Sequence, residues 1–378
     1  MFQQAHRVTA AVEKDVGGLV HLSVQGLARM FDLEKQLFCY RLKGLSAGLE
    51  VEGLSHRYTM MSLLGLHRLE AAGIGRSPVN VRSTLAGLCR SVSWIDNIGD
   101  LGLLLWLCAV VSPGELEACY RTLDVPEALS HFSDAREKRT MELAWFLSGL
   151  AHAAMAGGYT LPGLTDLAVR TYSYLVRNQG DYGIFGHIGT NASFSGVIRG
   201  RIGSFADQVY PIYALAKFGQ VFQNQQALER AQVCAEVICR AQGTLGQWWW
   251  HYDAGTGKVC ERYPVYSVHQ DGMAPMALLA VSEATGLDFS EFLYRGLAWI
   301  HGQNELDLDL RDTSRGLIWR CIYRQKSYKM YSDELKKFLW PQKSIRIVPD
   351  LMVLYECRPY HLGWLLYAFA GQQRPSCV

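Results

Sequence analysis

Acid and base side chains are concentrated in one short stretch of this 378-residue chain, between residues 261 and 271. His269 and Asp271 are the best candidates for acid and base, because imidazole titrates near neutral pH and a nearby carboxylate can orient or charge it. Tyr263, Tyr266 and the more distant Tyr210 are possible proton donors. The stretch therefore predicts acid–base catalysis, with Asp271 orienting His269.

Three consecutive tryptophans, Trp248, Trp249 and Trp250, precede this stretch. Successive side chains on any backbone point in different directions, so the three cannot all lie in the core. We expect at least one of them to face a cavity. An aromatic face suits the C–H face of a sugar ring, and it suits a carbocation equally well through its quadrupole.

Two arginines and a further histidine extend the set. Arg262 and Arg358 are candidates for neutralising a carboxylate or phosphate, and His361 lies three residues after Arg358. Removal of the α-proton of a uronate needs such a set, because that proton becomes acidic only when the carboxylate charge is offset. Hydrolysis would instead need paired carboxylates roughly 5 to 9.5 Å apart. Asp207 and Asp271 are a candidate pair, because they occupy equivalent positions in an internal repeat.

An internal repeat of about sixty residues positions these groups. Glutamines beside a glycine recur at Gln179, Gln242 and Gln303, in steps of 63 and 61 residues. Glycine follows the first two and precedes the third. A second pattern, Asp-x-x-x-Pro before an apolar run, begins at Asp207 and again at Asp271, 64 residues later. Such a period indicates a stacked supersecondary unit that cannot bury its apolar face alone.

Each unit is predicted to contain two helices. Residues 220–241 show apolar positions at helical spacing, which is typical of an outer amphipathic helix, and residues 210–218 are apolar nearly all round, as in a fully buried helix. Inner helices of the second kind are predicted in six apolar runs: 60–66, 101–111, 143–154, 212–218, 276–281 and 362–369. The predicted fold class is therefore all-α, an (α/α)6 toroid of helical hairpins with few or no strands.

In such a ring the amino-terminal ends of the parallel inner helices meet at one mouth, which their free N–H groups make favourable for anions. We predict that the residues preceding the inner helices converge there, although they are distant in sequence. They are His56, Arg57, Tyr58, Asp96, Asp100, Asp207, Tyr210, His269, Gln270, Asp271, Arg358, Tyr360 and His361.

Structural roles are the alternatives for several of these residues. The glutamine–glycine turns are better explained as structural links between adjacent hairpins than as catalytic groups. Asp207 and Asp271 could be helix N-caps, since aspartate is favoured there. A single histidine could equally be a satisfied structural group.

Composition limits the kind of partner. The net charge is +2, which does not favour nucleic acid or a membrane surface, and the oligomeric state is left open. The longest apolar run, 101–111, is far short of the roughly 20 residues that span a bilayer. Residues 1–20 lack the apolar region of a signal peptide. We expect a cytoplasmic protein.

No cofactor or metal is predicted. The ten cysteines form no CxxC pair, and we interpret them as reduced and mostly buried. Phosphate-loop, HExxH, GxSxG and DxDD motifs are absent. A zinc site could be drawn from Cys357, His361 and His269, but their spacing is not specific to metal.

The Gln-x-x-x-Gly-x-Trp pattern, as in residues 242–248, resembles the repeats of the α/α-toroid superfamily. That grouping includes terpenoid cyclases, protein prenyltransferases, lanthionine cyclases and carbohydrate-active epimerases, lyases and hydrolases. The resemblance covers residues 140–370 and implies architecture more than activity. This chain lacks the DxDD motif expected of proton-initiated terpenoid cyclases. It also lacks the zinc-ligand motifs expected of prenyltransferases and lanthionine cyclases. The remaining polar, aromatic mouth looks most like toroids that act on saccharides.

We therefore predict one toroid domain over residues 1–378 that modifies an acidic poly- or oligosaccharide, as a uronate epimerase, lyase or hydrolase. Trp248, Trp249, Trp250, Arg262, Arg358, Tyr210, Asp207, Asp100 and Arg57 would bind substrate, and His269, Asp271, Tyr266, Tyr263 and His361 would act on it. A terpenoid cyclase-like enzyme and a non-catalytic assembly protein are the alternatives. A basic insertion at 324–346 is either a solvated surface segment or a cationic lid.

Overall fold

The structure, a computed structural model, describes residues 15–45, 48–157, 161–188, 200–325 and 351–372. The basic insertion predicted at 324–346 lies almost entirely outside the described residues. The α-helices are, in chain order, α1 (Val16–Met30), α2 (His56–Ala71), α3 (Val81–Arg90), α4 (Ile98–Val111), α5 (Leu116–Thr122), α6 (Ala128–His131), α7 (Ser133–Glu137), α8 (Thr140–Gly157), α9 (Leu164–Val176), α10 (Ala206–Val221), α11 (Gln225–Arg240), α12 (Ala274–Thr285), α13 (Ser290–Ile300) and α14 (Pro359–Phe369).

Six inner helices form a closed circle. Helices α2, α4, α8, α10, α12 and α14 contact one another in that order, and α14 returns to contact α2. They are buried on nearly every side; in α4, for example, all residues except Val110 are buried. All six predicted inner helices are therefore present, and a uniformly apolar sequence is what burial on all sides requires.

The outer helices pack between neighbouring inner ones. Helix α11 contacts both α10 and α12, and α3 contacts both α2 and α4. The inward face of α11 carries Ala227, Ala231, Cys234 and Ile238, which recur at steps of three and four residues. This alternation of amphipathic and buried helices confirms the predicted, largely helical architecture.

Two of the repeated glutamines tie neighbouring hairpins together, as the structural interpretation expected. The Gln179 side chain donates to the carbonyls of Gly183 (3.0 Å) and of Arg230 on α11 (3.1 Å). Gln242 donates in the same way to Gly246 (3.1 Å) and to Phe292 on α13 (2.9 Å).

The third glutamine departs from this pattern. Gln303 is exposed, and the side chain of the next residue, Asn304, donates to the carbonyls of Trp299 (2.8 Å) and Leu308 (2.7 Å). The third repeat therefore has a similar turn, but its side-chain hydrogen bonds stay within one hairpin and do not link it to the next.

Glycines permit the close approaches in this ring. Gly246 has a φ of +92°, and a Cβ there would lie 2.1 Å from the carbonyl oxygen of Arg295. A Cβ on Gly149 of α8 would lie 2.3 Å from the carbonyl oxygen of Gly102 on α4. A larger residue at either position would separate elements that the ring requires in contact.

Short strands occupy the connections: β1 (Phe31–Asp32), β2 (Leu37–Leu45), β3 (Gly48–Leu54), β4 (Ile202–Ser204), β5 (His251–Asp253), β6 (Lys258–Glu261), β7 (Val265–Tyr266), β8 (Arg311–Asp312), β9 (Leu317–Ile318), β10 (Cys321–Arg324), β11 (Leu351–Leu354) and β12 (Glu356–Cys357). All the pairings are antiparallel: β2 with β1, β3 and β12; β10 with β7 and β11; β5 with β4 and β6; and β8 with β9. Strands are more numerous than the sequence indicated, because most are too short to show period-two alternation.

Several strands lead directly into inner helices. Strand β3 ends two residues before α2 begins, β4 ends two residues before α10, and β12 ends two residues before α14. Strands therefore lie at the amino-terminal ends of α2, α10 and α14. Among the described residues, no helix combines the length and apolar character needed to cross a bilayer.

The amino-terminal ends of the inner helices converge as predicted. At the starts of α2 and α4, Arg57 and Asp100 form an ion pair, with Nε 2.6 Å from Oδ1. At the starts of α2 and α14, the rings of Tyr58 and Tyr360 are 4.6 Å apart. Residues more than 300 positions apart in sequence therefore meet at one mouth.

Candidate active site

A cavity of about 190 Å³ opens where the inner helices begin. Its lining comes from five of the six inner helices or the segments leading into them, with no residue from α4, and from the connection between β9 and β10. The lining residues are Arg57, Tyr58, Met61, Met141, Trp145, Ala206, Tyr210, Trp250, Tyr266, His269, Met273, Arg320 and Tyr360.

The charge of this lining has one sign. Arg57 and Arg320 are the cations, and no aspartate or glutamate is found among the described residues that line the cavity. The remaining walls are aromatic rings, methionines and one alanine. Such a cavity favours an anion attached to a ring, because arginine binds carboxylates and aromatic faces pack against rings.

Arg57 is held in place from behind by Asp100. Its Nε and Nη2 donate to Oδ1 (2.6 Å) and Oδ2 (2.9 Å) of Asp100. Asp100 also accepts from the side chain of Asn97, which caps α4 by accepting from the Asp100 backbone N–H. The Arg57 side chain is 34% exposed and that of Asp100 only 7%, so the cation is the more accessible member of the pair.

Arg320 is held in a similar way by Glu356, a buried residue of β12. Its Nη1 lies 3.3 Å from Oε1 of Glu356, and its guanidinium lies 4.9 Å from the centre of the Tyr266 ring. Glu356 also accepts from Arg41 (3.0 Å) and from Arg358 (2.5 Å). Three arginines therefore surround one buried carboxylate, which leaves a local excess of positive charge beside the cavity.

Hydrogen bonds hold two of the lining tyrosines. The hydroxyl of Tyr58 accepts from Arg358 (2.9 Å), and that of Tyr210 accepts from the indole of Trp364 (3.0 Å).

Burial makes these phenols weak acids. It raises the pKa of Tyr58 to about 12 and also raises the pKa of each other lining tyrosine, namely Tyr210, Tyr266 and Tyr360. At neutral pH they are therefore protonated and able to donate.

His269 is the titratable base of the lining. Burial, reinforced by the nearby cation of Arg320, lowers the pKa of His269 to about 3, so the imidazole is neutral at pH 7. Its Nδ1 is buried and has no hydrogen-bond partner among the described residues. The ring packs against Phe205 (4.5 Å between centres) and Tyr266 (5.2 Å). The neutral ring has a free Nδ1 that can accept a proton, but a pKa of about 3 makes it a weak base in the unliganded protein.

Asp271 does not orient His269, contrary to the prediction. Both residues lie on a single π-helical turn, His269–Met273, in which side chains two positions apart do not face each other. Asp271 is fully buried, and its partner is His361, whose Nε2 lies 2.7 Å from Oδ1 and 2.9 Å from Oδ2. Neither member of this pair lines the cavity.

One of the three tryptophans lines the cavity. Trp250 does so, with its ring centre 4.8 Å from that of Tyr266. Trp248 is completely buried against Phe205, and Trp249 donates to the carbonyl of Ala241 (2.8 Å). The expectation that at least one faces a cavity is therefore confirmed.

Other predicted site residues lie outside the lining. Arg262 covers the ring of Trp249 at 5.3 Å, and the hydroxyl of Tyr263 donates to Glu305 (2.7 Å). Arg358 contacts the lining through Tyr58.

Asp207 is not the N-cap considered from the sequence, because Phe205 holds that position and Asp207 is the second residue of α10, bonding back to Ser204. Its Oδ2 accepts from the backbone N–H of Ser204 (2.8 Å), while the Ser204 hydroxyl accepts from the Asp207 N–H (3.2 Å). His187 lies 3.3 Å from the same carboxylate. The Asp207 carboxylate is therefore already hydrogen-bonded, and it does not line the cavity.

Sequence reasoning missed several lining residues. Arg320 follows β9, and only the pairing of β10 with β7 places that connection beside Tyr266. Met61 and Trp145 lie in α2 and α8, within the apolar runs 60–66 and 143–154 that the sequence predicts to be buried helices. Met141 and Met273 adjoin predicted inner runs, and attention to every residue at an inner-helix start would have found them.

Solved structures of several glycoside hydrolases have a similar fold. An unsaturated glucuronyl hydrolase from Bacillus sp. GL1, responsible for the degradation of glycosaminoglycan, superposes with a TM-score of 0.53 at 17% identity over 98% of this chain and 96% of that one. A variant of the unsaturated glucuronyl hydrolase from Streptococcus agalactiae complexed with dGlcA-GalNAc6S gives 0.60 at 12% identity over 96% and 92%. A glycosyl hydrolase family 88 protein from Bacteroides vulgatus gives 0.59 at 12% identity over 94% and 98%.

These neighbours have the (α/α)6 toroid fold, and at such low identity the similarity shows the fold alone. No family model matches the chain, and no curated protein matches it.

Proposed function

We propose that this chain is a carbohydrate-active enzyme that binds an acidic saccharide in the cavity at the mouth of the toroid. The observation that carries the proposal is the one-signed, ring-lined cavity, with Arg57 and Arg320 as cations and no carboxylate among the described lining residues. Several of the enzymes with which it shares its fold are named for glucuronyl substrates, which supports the same substrate class.

In the proposed complex the substrate carboxylate lies between Arg57 and Arg320. Both guanidiniums are fixed by buried carboxylates behind them, so binding requires little reorganisation of the protein. The sugar ring packs against Trp250, and the phenols of Tyr58 and Tyr266 donate to its hydroxyl or ring oxygens. The remainder of the saccharide extends out of the mouth.

Proton transfer at a uronate is the chemistry that the lining favours. His269 is neutral and serves as the base, and Tyr266 serves as the donor. The Arg320 guanidinium over the Tyr266 ring stabilises negative charge that develops on the phenol or on the substrate. With the carboxylate charge offset by two arginines, removal of the adjacent proton leads to β-elimination or epimerisation.

Hydrolysis is the second candidate, because the structural neighbours are glycoside hydrolases. The usual hydrolytic route needs two carboxyl groups flanking the bond. Asp100 is held by Arg57 and Asp207 by Ser204, so a hydrolytic role would require one of them to exchange its partner for substrate.

Two other functions receive less support. A terpenoid cyclase-like reaction would use the aromatic walls, but two arginines line the cavity and the structural neighbours reported above act on saccharides. A non-catalytic assembly protein would have a plugged mouth, whereas this cavity is open.

One experiment distinguishes these functions. The purified chain is incubated in D₂O with glycosaminoglycan oligosaccharides and, separately, with their unsaturated disaccharides, and ultraviolet absorbance and mass are recorded. A lyase creates the absorbing double bond, a hydrolase of unsaturated ends consumes it, and an epimerase incorporates one deuterium without changing it. Failure to bind or alter any acidic saccharide would overturn the proposal.

A further inference from the structure

Three cysteines meet near the carboxy-terminal end of α4. Cys89 belongs to α3, Cys108 to α4 and Cys119 to α5, and their Sγ atoms all lie within 4.8 Å of one another. The Cys89 and Cys108 sulfurs are 3.9 Å apart. Among the nine cysteines described, only these three form such a group.

We propose that Cys89, Cys108 and Cys119 bind one thiophilic d¹⁰ ion, Zn²⁺ or Cu⁺, through their three sulfur atoms. This site is independent of the proposed enzymatic function. Cys108 follows Asp100 by eight residues on α4, which places it about 12 Å further along the helix from the mouth.

The spacing of the sulfurs fits a common ion. Sulfur atoms bound at about 2.3 Å to one centre, at tetrahedral or trigonal angles, lie about 3.8 to 4.0 Å from one another. The Cys89–Cys108 separation of 3.9 Å already has this value, and the upper bound of 4.8 Å for the group requires a closure of less than about 1 Å. Rotation of a side chain supplies a movement of that size.

Burial of the group suits metal binding. Cys108 is buried, whereas Cys89 and Cys119 are half-buried, so an ion can reach the site from solvent and keep an outer position for water. Three soft sulfur ligands select Zn²⁺ and Cu⁺ over Mg²⁺ or Ca²⁺, which prefer oxygen. The three ligands come from three helices and two hairpins, so a bound ion would fasten the outer layer to the inner ring.

No sequence pattern indicates this group, since intervals of 19 and 11 residues match no zinc motif. Helix packing alone brings the three together. Ordinary core cysteines contact hydrocarbon neighbours, whereas these contact one another.

The test uses the full chain, reduced and stripped of metal by a chelator. Zn²⁺ is titrated in competition with a chromophoric chelator, and Cu⁺ with a chromophoric Cu⁺ ligand under anaerobic conditions. We expect one ion per chain. We expect Cys108→Ser and Cys119→Ser each to lower the affinity at least about 100-fold, because loss of a ligand costs more than the 10- to 100-fold typical of its supporting groups.

Cys260→Ser is the matched control, since Cys260 is exposed on β6 and lies outside the group. It should bind as the unsubstituted chain does. Cys119→Ser keeps the test valid if Cys108→Ser fails to fold, because Cys119 is only half-buried. Absence of binding, binding unaffected by both cluster substitutions, or a Cys89–Cys108 disulfide in freshly purified protein would each overturn the proposal.

Discussion

Arg57 and Asp100 form a bidentate ion pair that joins the first two inner helices at the mouth of the toroid, with Nε–Oδ1 and Nη2–Oδ2 distances of 2.6 and 2.9 Å. Arginine matches a carboxylate through this fork geometry. The same guanidinium lies 5.3 Å from the centre of the Trp145 ring. Asp100 and Trp145 therefore fix the orientation of a cation that lines the cavity.

The other lining arginine gives the first prediction. Arg320→Gln should weaken binding of a uronate-bearing oligosaccharide by about 10- to 100-fold, since a hydrogen bond to a charged group contributes about 1.5–3 kcal/mol. Titration calorimetry measures the change. Arg262→Gln is the matched control, because Arg262 packs on Trp249 outside the lining. Equal losses in the two variants would contradict a specific role for Arg320.

Turnover should depend on His269. His269→Gln removes the proposed base, and general acid–base catalysis typically contributes 10²- to 10⁴-fold, so kcat should fall by at least about 100-fold. Substrate affinity should change much less, because the arginines remain. The comparison of kcat with Kd, together with a circular dichroism spectrum, checks this. Activity retained by a folded His269→Gln variant would remove His269 from the mechanism.

Acid should destabilise the fold through the same histidine. Its pKa is about 3 in the folded chain against about 6.5 in an unfolded one, so between these values the unfolded chain binds more protons. Stability therefore rises with pH across this window, by up to about 1.4 kcal/mol per pH unit for this group.

Urea denaturation at pH 4.5, 5.5 and 6.5 measures that slope. The slope should be smaller in His269→Gln than in the unsubstituted chain, because glutamine does not titrate. An identical slope in both proteins would show that His269 is not held neutral by burial.

The repeated glutamines allow a matched test of the architecture. Gln242→Leu leaves the carbonyls of Gly246 and Phe292 without their donor, and should lower the free energy of unfolding by about 1–3 kcal/mol. Gln303→Leu should change it by less than about 0.5 kcal/mol, because that side chain is exposed. Denaturant melts compare the two variants. A similar fall in the free energy of unfolding in both variants would mean that the hydrogen bonds of Gln242 do not specifically stabilise the ring.

Local pattern predicted the helices well and the site only partly. Runs such as 101–111 are apolar on every side, so their burial in an inner ring follows from sequence alone. The convergence of Arg57, Asp100 and Tyr210 follows from the parallel arrangement of those helices. These features could be predicted because they follow from the spacing of apolar residues and from the internal repeat, both of which are visible in a single sequence.

Several other lining residues lie in connections between helices. Only the tertiary fold brings these connections together, and no local sequence pattern reveals that. Arg320 reaches the cavity because β10 pairs with β7. Asp271 pairs with His361 instead of orienting His269 because a π-helical turn directs the two side chains apart. The group formed by Cys89, Cys108 and Cys119 likewise arises from packing between helices.

Recognition of negative charge by Arg57 and Arg320 is the claim on which the proposed function depends. The most direct measurement compares, by titration calorimetry, the affinity of the chain for an unsaturated glucuronyl disaccharide and for the methyl ester of the same disaccharide. We predict that the free acid binds at least about tenfold more tightly, a difference of about 1.4 kcal/mol, and that Arg57→Gln or Arg320→Gln reduces the preference. Equal affinity for acid and ester in the unsubstituted chain would contradict the account.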